Sequence, residues 1–234
     1  MTPKRSFGRR KRQSNVLCKK YLSVLIIECD AEKLENQSIN IAQEFNKIFF
    51  LFPICKHTFV RIFNKTDLLS QFAELATGKH RYDIILLVGH SIIDGASGNP
   101  TEIQFASDFR ITWNLLPKYL DIFKPKCLVL ATCKGSHFLP SSEMFDGLKS
   151  LKELYGTPVI ANQTQISILK LLIPFIIASN NFDPNILLAG NVLNYLATGG
   201  IILRHTRKEF RENKPFCEIH QVIYEFLYDL YKKQ

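Results

Sequence analysis

The chain has 234 residues, of which 46% are hydrophobic and 22% charged, as expected for one large globular domain or two small ones. It contains no run of 18 or more apolar residues, which argues against a transmembrane helix, and no apolar leader with a small-residue cleavage site. We therefore expect a cytoplasmic protein without a membrane span.

The positive charge is concentrated at the N-terminus. The formal net charge is +9, but residues 1–20 hold eight basic and no acidic residues, and the rest of the chain is nearly neutral. The stretch PKRSFGRRKRQS lacks apolar periodicity, so we expect a disordered tail over 1–20 and a single domain over 21–234. We favour a solvated extension. The alternatives are contact of the tail with nucleic acid, an anionic membrane or a transport receptor, or a role as a basic cleavage site. Any contact with nucleic acid would be made through this tail.

The predicted elements of the first half of the domain alternate between strand and helix. The run YLSVLIIEC predicts a buried strand over 21–29, and HTFVRIF alternates with period two, which predicts a strand over 57–63. Apolar residues at helical spacing predict a helix over 36–52 that Pro53 ends. A second helix is expected to begin with Thr66 or Asp67 as its N-cap and to close at Gly78.

The second half continues this alternation. YDIILLVGH predicts a strand over 82–90, CLVLAT a strand over 127–132 and TPVIANQ a strand over 157–163. The segment 91–108 is polar and contains Gly, so neither a strand nor a helix is predicted there, and residues 91–98 are interpreted as a mobile wall of the site. Helices are expected over 115–123, 166–178, 184–197 and 218–232. Together these elements predict one α/β domain with a mainly parallel sheet.

Two of the predicted strands end in residues that are typical of nucleophilic catalysis. One ends in Gly89 and His90, and the next ends in Cys133. Ligands of such sheets bind at the carboxyl ends of the strands, so a thiol and an imidazole at neighbouring ends can serve as nucleophile and base. Gly135 and Ser136 allow a sharp turn that leaves the N–H of Cys133 free for an oxyanion. His137 is a rival base.

These strands carry a resemblance to the caspase-like cysteine peptidases, a group that includes caspases, metacaspases and CHAT-type peptidases. DIILLVGHS precedes CLVLATCKGS, with His90 and Cys133 separated by 43 positions, and the similarity extends from about residue 21 to 210. The resemblance implies a three-layer sandwich with helices on both faces of the sheet. It also implies that Cys133 is the nucleophile, that His90 is the general base, and that the N–H groups of Ser91 and Cys133 form the oxyanion hole. Ser91 replaces the glycine that usually follows the histidine.

The resemblance also indicates where a substrate pocket would lie. The position two before the cysteine is Ala131, where caspases have Gln and metacaspases often have Asp. Glu28, Asp30 and Glu32 lie at the end of the first strand and could favour a basic P1 residue, although solvated loop carboxylates are the simpler expectation.

The cysteines indicate a reduced protein. Six are present, with no C-x-x-C pair and no zinc-ligand spacing. We expect buried thiols rather than disulfides, and neither a metal nor a cofactor.

The function implied by the resemblance is that of a cysteine endopeptidase that hydrolyses proteins or peptides. Activation by a partner protein, by assembly or by processing is expected, in a defence or cell-death pathway. The alternative is a catalytically inactive caspase-like module that binds a partner. A nucleotide-binding domain ranks last because the sequence has neither a G-x-G-x-x-G pattern nor a P-loop.

Overall fold

The computed structural model of the protein describes residues 21–31, 40–78, 80–97, 100–132, 142–156, 170, 173–177, 180 and 203–207. The tail over 1–20, the strand predicted over 157–163 and the helices predicted over 184–197 and 218–232 lie outside these residues.

The described residues form strands and helices in alternation. The strands are β1 (Leu22–Glu28), β2 (Cys55–Arg61), β3 (Ile84–Val88), β4 (His90–Ile93), β5 (Pro100–Ala106), β6 (Phe109–Thr112), β7 (Cys127–Ala131), β8 (Glu153–Gly156) and β9 (Leu203–Thr206). The helices are α1 (Ile41–Phe50), α2 (Lys65–Thr77), α3 (Leu116–Leu120) and α4 (Ser142–Gly147), with a 3₁₀ turn over Asp121–Phe123 after α3. Residues 173–177 are also helical.

Six strands form the main sheet in the order β2-β1-β3-β7-β8-β9. The first five run parallel, and β9 pairs antiparallel with β8. The central strands β1, β3 and β7 are almost completely buried, because helices cover both faces of a parallel sheet. This explains why their sequences are continuous apolar runs.

The sheet separates two hydrophobic cores. Leu25 and Ile27 of β1 join α2, α3, α4 and the small sheet on one face. Val24 and Ile26 join α1 and residues 173–177 on the other face. Neighbouring residues of a strand point to opposite faces, so β1 contributes to both cores. The architecture is therefore a three-layer α/β/α sandwich.

Strands β4, β5 and β6 form a second, antiparallel sheet, whereas the sequence analysis predicted a polar segment without strands over 91–108. That prediction was wrong because the period-two pattern of this segment is short and interrupted by polar residues. Ile103 and Phe105 of β5 and Ile111 of β6 are buried in the core beside α2 and α3. The small sheet therefore packs against the main sheet on one face.

Side chains that precede the first two helices fix where they begin. Asn40 accepts a hydrogen bond from the N–H of Gln43, so α1 begins at Ile41 rather than at residue 36. Asn64 accepts from the N–H of Asp67, so the predicted N-cap at Thr66 or Asp67 was wrong by two or three residues. The helix closes at Gly78 as predicted. No helix among the described residues is long and apolar enough to span a membrane.

Candidate active site

Three parallel strands end together at one edge of the main sheet. Glu28 of β1 is in register with Val88 of β3, and Val88 is in register with Ala131 of β7. The next residue of each strand continues this alignment. The N–H of Cys29 donates to the carbonyl of Val88 at 2.8 Å, and the N–H of Gly89 donates to the carbonyl of Ala131 at 3.4 Å. This carboxyl edge is where ligands of parallel sheets bind.

His90 lies where the chain passes from the main sheet to the small sheet. β3 ends at Val88, Gly89 forms the connection, and His90 is the first residue of β4. The strand predicted over 82–90 is thus two strands. A Cβ atom on Gly89 would lie 2.8 Å from the Cβ of Cys29, so only glycine fits without a shift of the chain. His90 is therefore held at the sheet edge between β3 and its partner on β5, Gln104.

Cys133 lies outside the described residues, together with Gly135, Ser136 and His137. The described chain reaches Thr132, which is buried and directly precedes Cys133 in the sequence. Ala131 is buried against the core on the α1 side of the sheet. The structure thus brings together the ends of β3 and β7, which are the two strands that lead to His90 and Cys133.

The main chain of Ser91 faces away from β5. The carbonyl of Thr101 in β5 accepts a hydrogen bond from the N–H of Trp113, beside β6. The main-chain N–H and carbonyl groups of successive residues point to alternate sides of a strand, so those of Glu102 and Gln104 point toward β4. The hydroxyl of Thr101 also reaches the carbonyl of Ile92 at 3.5 Å. His90 and Ile92 therefore face β5, and the N–H and carbonyl of Ser91 point to the open side of β4.

Glu28 and Asp30, at the end of the first strand, are buried, whereas the sequence favoured solvated carboxylates. Glu28 is inaccessible and accepts hydrogen bonds from Nε of Arg61 at 2.6 Å and from Nδ2 of Asn40 at 2.7 Å. Arg61 lies directly opposite Glu28 in β2, so it neutralises this charge. The sequence showed no sign of this pair, because it depends on the register of two strands. Glu32 lies outside the described residues.

Asp30 has an unusual environment. It is 1% exposed, with a left-handed backbone at φ 51°, and its N–H donates to the carbonyl of Phe105 at 2.8 Å. Its Oδ2 atom is buried and has no hydrogen-bond partner among the described residues. A buried carboxyl group is costly unless it is paired or hydrogen-bonded, so Asp30 is a buried polar group that the described residues leave unsatisfied.

Cys29 is the thiol next to Asp30, and it is not suited to be a nucleophile. Burial raises the pKa of Cys29 well above its ordinary value, and the carboxylates of Asp30 and Glu28 raise it further. A protonated, buried thiol is inert. Cys55 is buried as well, in keeping with the expected reduced thiols, whereas Cys18 and Cys217 lie outside the described residues. Among the residues that the structure describes, no group of three or more His, Cys, Asp or Glu side chains could hold a metal.

Comparisons with known proteins do not identify a family for this chain. No known family model matches the chain, and no curated protein matches it by sequence. Among solved structures, the chain is similar to protein GSU0716 from Geobacter sulfurreducens, with 11% sequence identity and a TM-score of 0.29. The match covers 58% of this chain and 72% of that one.

Proposed function

We propose that the protein is a caspase-like cysteine endopeptidase that uses Cys133 as nucleophile and His90 as general base. The register of β3 and β7 carries this proposal. Val88 lies opposite Ala131, and His90 and Cys133 each follow two positions later in the chain. The thiol and the imidazole of a dyad must lie within hydrogen-bond reach of each other. Adjacent strands that end in register favour this proximity for the residues that follow them.

In the proposed reaction, His90 takes the thiol proton as Cys133 attacks the carbonyl carbon of the scissile peptide bond. The N–H groups of Ser91 and Cys133 stabilise the oxyanion of the tetrahedral intermediate. The intermediate collapses to a thioester as His90 returns the proton to the leaving amine. Water, activated by His90, then hydrolyses the thioester and regenerates the thiol.

The orientation of Ser91 supports its proposed part in the oxyanion hole. Its N–H points away from β5, on the side where a substrate carbonyl could accept from it. A serine in this position is compatible with the role because the donor is the main chain, and β4 has extended backbone that does not require glycine.

Asp30 supports a preference for Lys or Arg as the P1 residue, the residue that supplies the scissile carbonyl. Its buried Oδ2 can accept from an ammonium or guanidinium group and would thereby gain the partner that the described residues do not supply. Ala131 contributes no charge of its own to this choice. Protein or peptide substrates follow from this proposal, and activation by a partner or by assembly remains part of it, in a defence or cell-death setting.

The proposal is tested with acyloxymethyl-ketone probes and coumarin amides that vary in the P1 residue. We expect Arg and Lys to be preferred, iodoacetamide to label Cys133 first, and Cys133→Ala and His90→Ala to lose turnover by about 10³-fold or more, as in other nucleophile–base pairs. His80→Ala is a matched control, since His80 is exposed after α2 and should retain wild-type turnover. Full turnover by Cys133→Ala would overturn the dyad.

A second candidate function is a caspase-like module that binds a partner protein without catalysis. Ser91 in place of the usual glycine is the observation that favours it. The two functions differ in the same experiment, because an inactive module would fold normally and would turn over none of the amides in the presence of its partner.

A further inference from the structure

Strand β4 has an open edge that begins next to His90. In the order β4-β5-β6, β4 pairs only with β5 among the residues that the structure describes. The main chain of Ser91 points to the open side. The register shifts after Ile92, and the partner of Ile93 is Pro100. Proline has no N–H to donate, so this is not a hydrogen-bonded pair and the main chain of Ile93 also points to the open side. No hydrogen bond reaches the main chain of either residue from that side within the described part of the chain. Both residues are only half-buried.

We propose that the open edge of β4 binds the leaving-group half of the substrate as an additional, parallel strand. The inference rests on the proposed function, and it assigns the residues after the scissile bond, P1′ to P3′, to this edge. Exposed strand edges commonly bind extended peptides through main-chain hydrogen bonds, and side-chain pockets add specificity. A substrate that is extended over these residues is therefore the occupant.

The direction of β4 determines which half of the substrate pairs with it. β4 runs away from the site, beginning at His90, and His90 protonates the leaving nitrogen. The leaving half starts beside His90 and so runs parallel to β4. The opposite direction would carry the leaving half back over Gly89, where the backbone is already so close to Cys29 that a Cβ would lie 2.8 Å away.

The parallel arrangement uses each main-chain group of Ser91 once. In a parallel pair, one residue donates to the residue before its partner and accepts from the residue after it. With P1′ opposite Ser91, its N–H donates to the P1 carbonyl, which is the oxyanion contact. Its carbonyl accepts from the N–H of P2′, and the N–H of Ile93 donates to the P2′ carbonyl. Because β4 has four residues, this pairing extends no further than about P3′.

The test uses quenched-fluorescence peptides with the P1 residue selected by the coumarin panel and with Ala-Ser-Ala-Ser after the scissile bond. N-methylation at P2′ removes the donor to Ser91 and should lower kcat/KM by roughly three- to tenfold, as expected for one hydrogen bond. N-methylation at P3′, whose N–H faces away from β4, should change kcat/KM by less than about twofold. Equal effects of the two methyl groups would overturn the proposal.

A protein variant tests the same edge. Ile93→Pro removes an N–H that points to the open side, and proline is tolerated on an edge strand in that position. We expect the ratio of kcat/KM on the extended peptide to kcat/KM on the coumarin amide to fall by roughly three- to tenfold. Arg110→Pro, on the outer edge of β6, is the matched control and should leave this ratio unchanged.

The outcomes separate this proposal from the dyad. If Cys133→Ala cleaves both substrates as well as the wild type does, the proposed function is wrong. If Cys133→Ala is inactive but P2′ methylation and Ile93→Pro have no effect, the dyad stands and the edge of β4 is not the binding site. Sensitivity to methylation at P2 or P3 alone would assign the edge to the other half of the substrate and would also overturn the proposal.

Discussion

Gly89 is the residue on which the position of His90 depends. It connects the main sheet to the small sheet, and its Cα lies against Cys29. An added methyl group would displace the connection, because backbone and Cβ atoms cannot yield as the end of a flexible side chain can.

Gly89→Ala should therefore destabilise the protein by roughly 1–3 kcal/mol and lower peptidase turnover with it, measured by urea unfolding and coumarin-amide hydrolysis. Gly95→Ala is the control, since a Cβ there meets nothing within 4 Å and should cost almost nothing. Adding Cys29→Gly removes the atom that clashes, so the cost of Gly89→Ala should be smaller in that background. A cost that is the same in both backgrounds would contradict this explanation.

Cys55 makes stability depend on alkaline pH. Burial, with a smaller effect of the Asp83 carboxylate, raises the pKa of Cys55 from its ordinary value of 9.0 to about 11. Between these values the unfolded chain releases the thiol proton and the folded chain retains it. The contribution of the protonated Cys55 thiol to the free energy of unfolding is therefore complete below about pH 9 and is lost as the pH rises toward 11.

We expect the wild type to lose about 2 kcal/mol more than Cys55→Ala between pH 8.5 and 11, measured by urea unfolding at each pH. Other groups titrate in this range as well, and they do so equally in both proteins. Parallel pH profiles for the two proteins would contradict the assigned pKa.

Asn40 joins α1 to the carboxyl edge of the sheet. Its Oδ1 accepts from the N–H of Gln43 at the start of the helix, and its Nδ2 donates to Glu28. Asn64 caps α2 in the same way through the N–H of Asp67, but among the described residues it contacts no buried carboxylate. The two caps therefore respond differently to the same substitution.

Asn40→Asp keeps the capping oxygen but places a carboxylate against Glu28, so it should destabilise the protein by about 2 kcal/mol or more at pH 7. Asn64→Asp should stay within about 0.5 kcal/mol of the wild type, since Asp is also a good N-cap. The difference is measured by urea unfolding at pH 7. Equal costs at pH 7 would show that the contact with Glu28 contributes nothing.

The elements differ in how far the sequence could predict them. Strands β1, β3 and β7 are covered on both faces, and this leaves an unmistakable apolar run in each. In β5 the buried residues Ile103 and Phe105 alternate with the polar residues Glu102 and Gln104 over a short stretch, so the small sheet was not predicted. The parallel pairing of β3 with β7 was predictable, because consecutive strands joined by a crossover are often neighbours. The pairing of Glu28 with Arg61 was not, because a register between strands cannot be deduced from either strand alone.

At the scale of the whole molecule, the main sheet couples the two cores. Neighbouring residues of β1 belong to opposite cores, so loss of packing on either face of the sheet also disrupts β1. Trp113, the only tryptophan, is buried on the α2 side, whereas Phe45 of α1 is buried on the other side.

Phe45→Ala should cost about 3–5 kcal/mol, and the midpoint of urea unfolding followed by Trp113 fluorescence should shift as much as that followed by circular dichroism. Phe50→Ala, at a side chain that is 71% exposed, is the control and should shift neither. A fluorescence midpoint that stays at the wild-type value would mean that the two faces unfold separately.

The strand order also has a consequence for how the chain folds. Every pair in the main sheet joins distant segments: Val24 pairs with Ile84, and Ile84 pairs with Cys127. Only β4, β5 and β6 pair as consecutive hairpins among the described strands. Because closing long loops slows folding, the small sheet is the unit that can form early, and the wide sheet must wait for its remote partners. The segment that carries His90 would then acquire its shape before the rest of the edge is assembled around it.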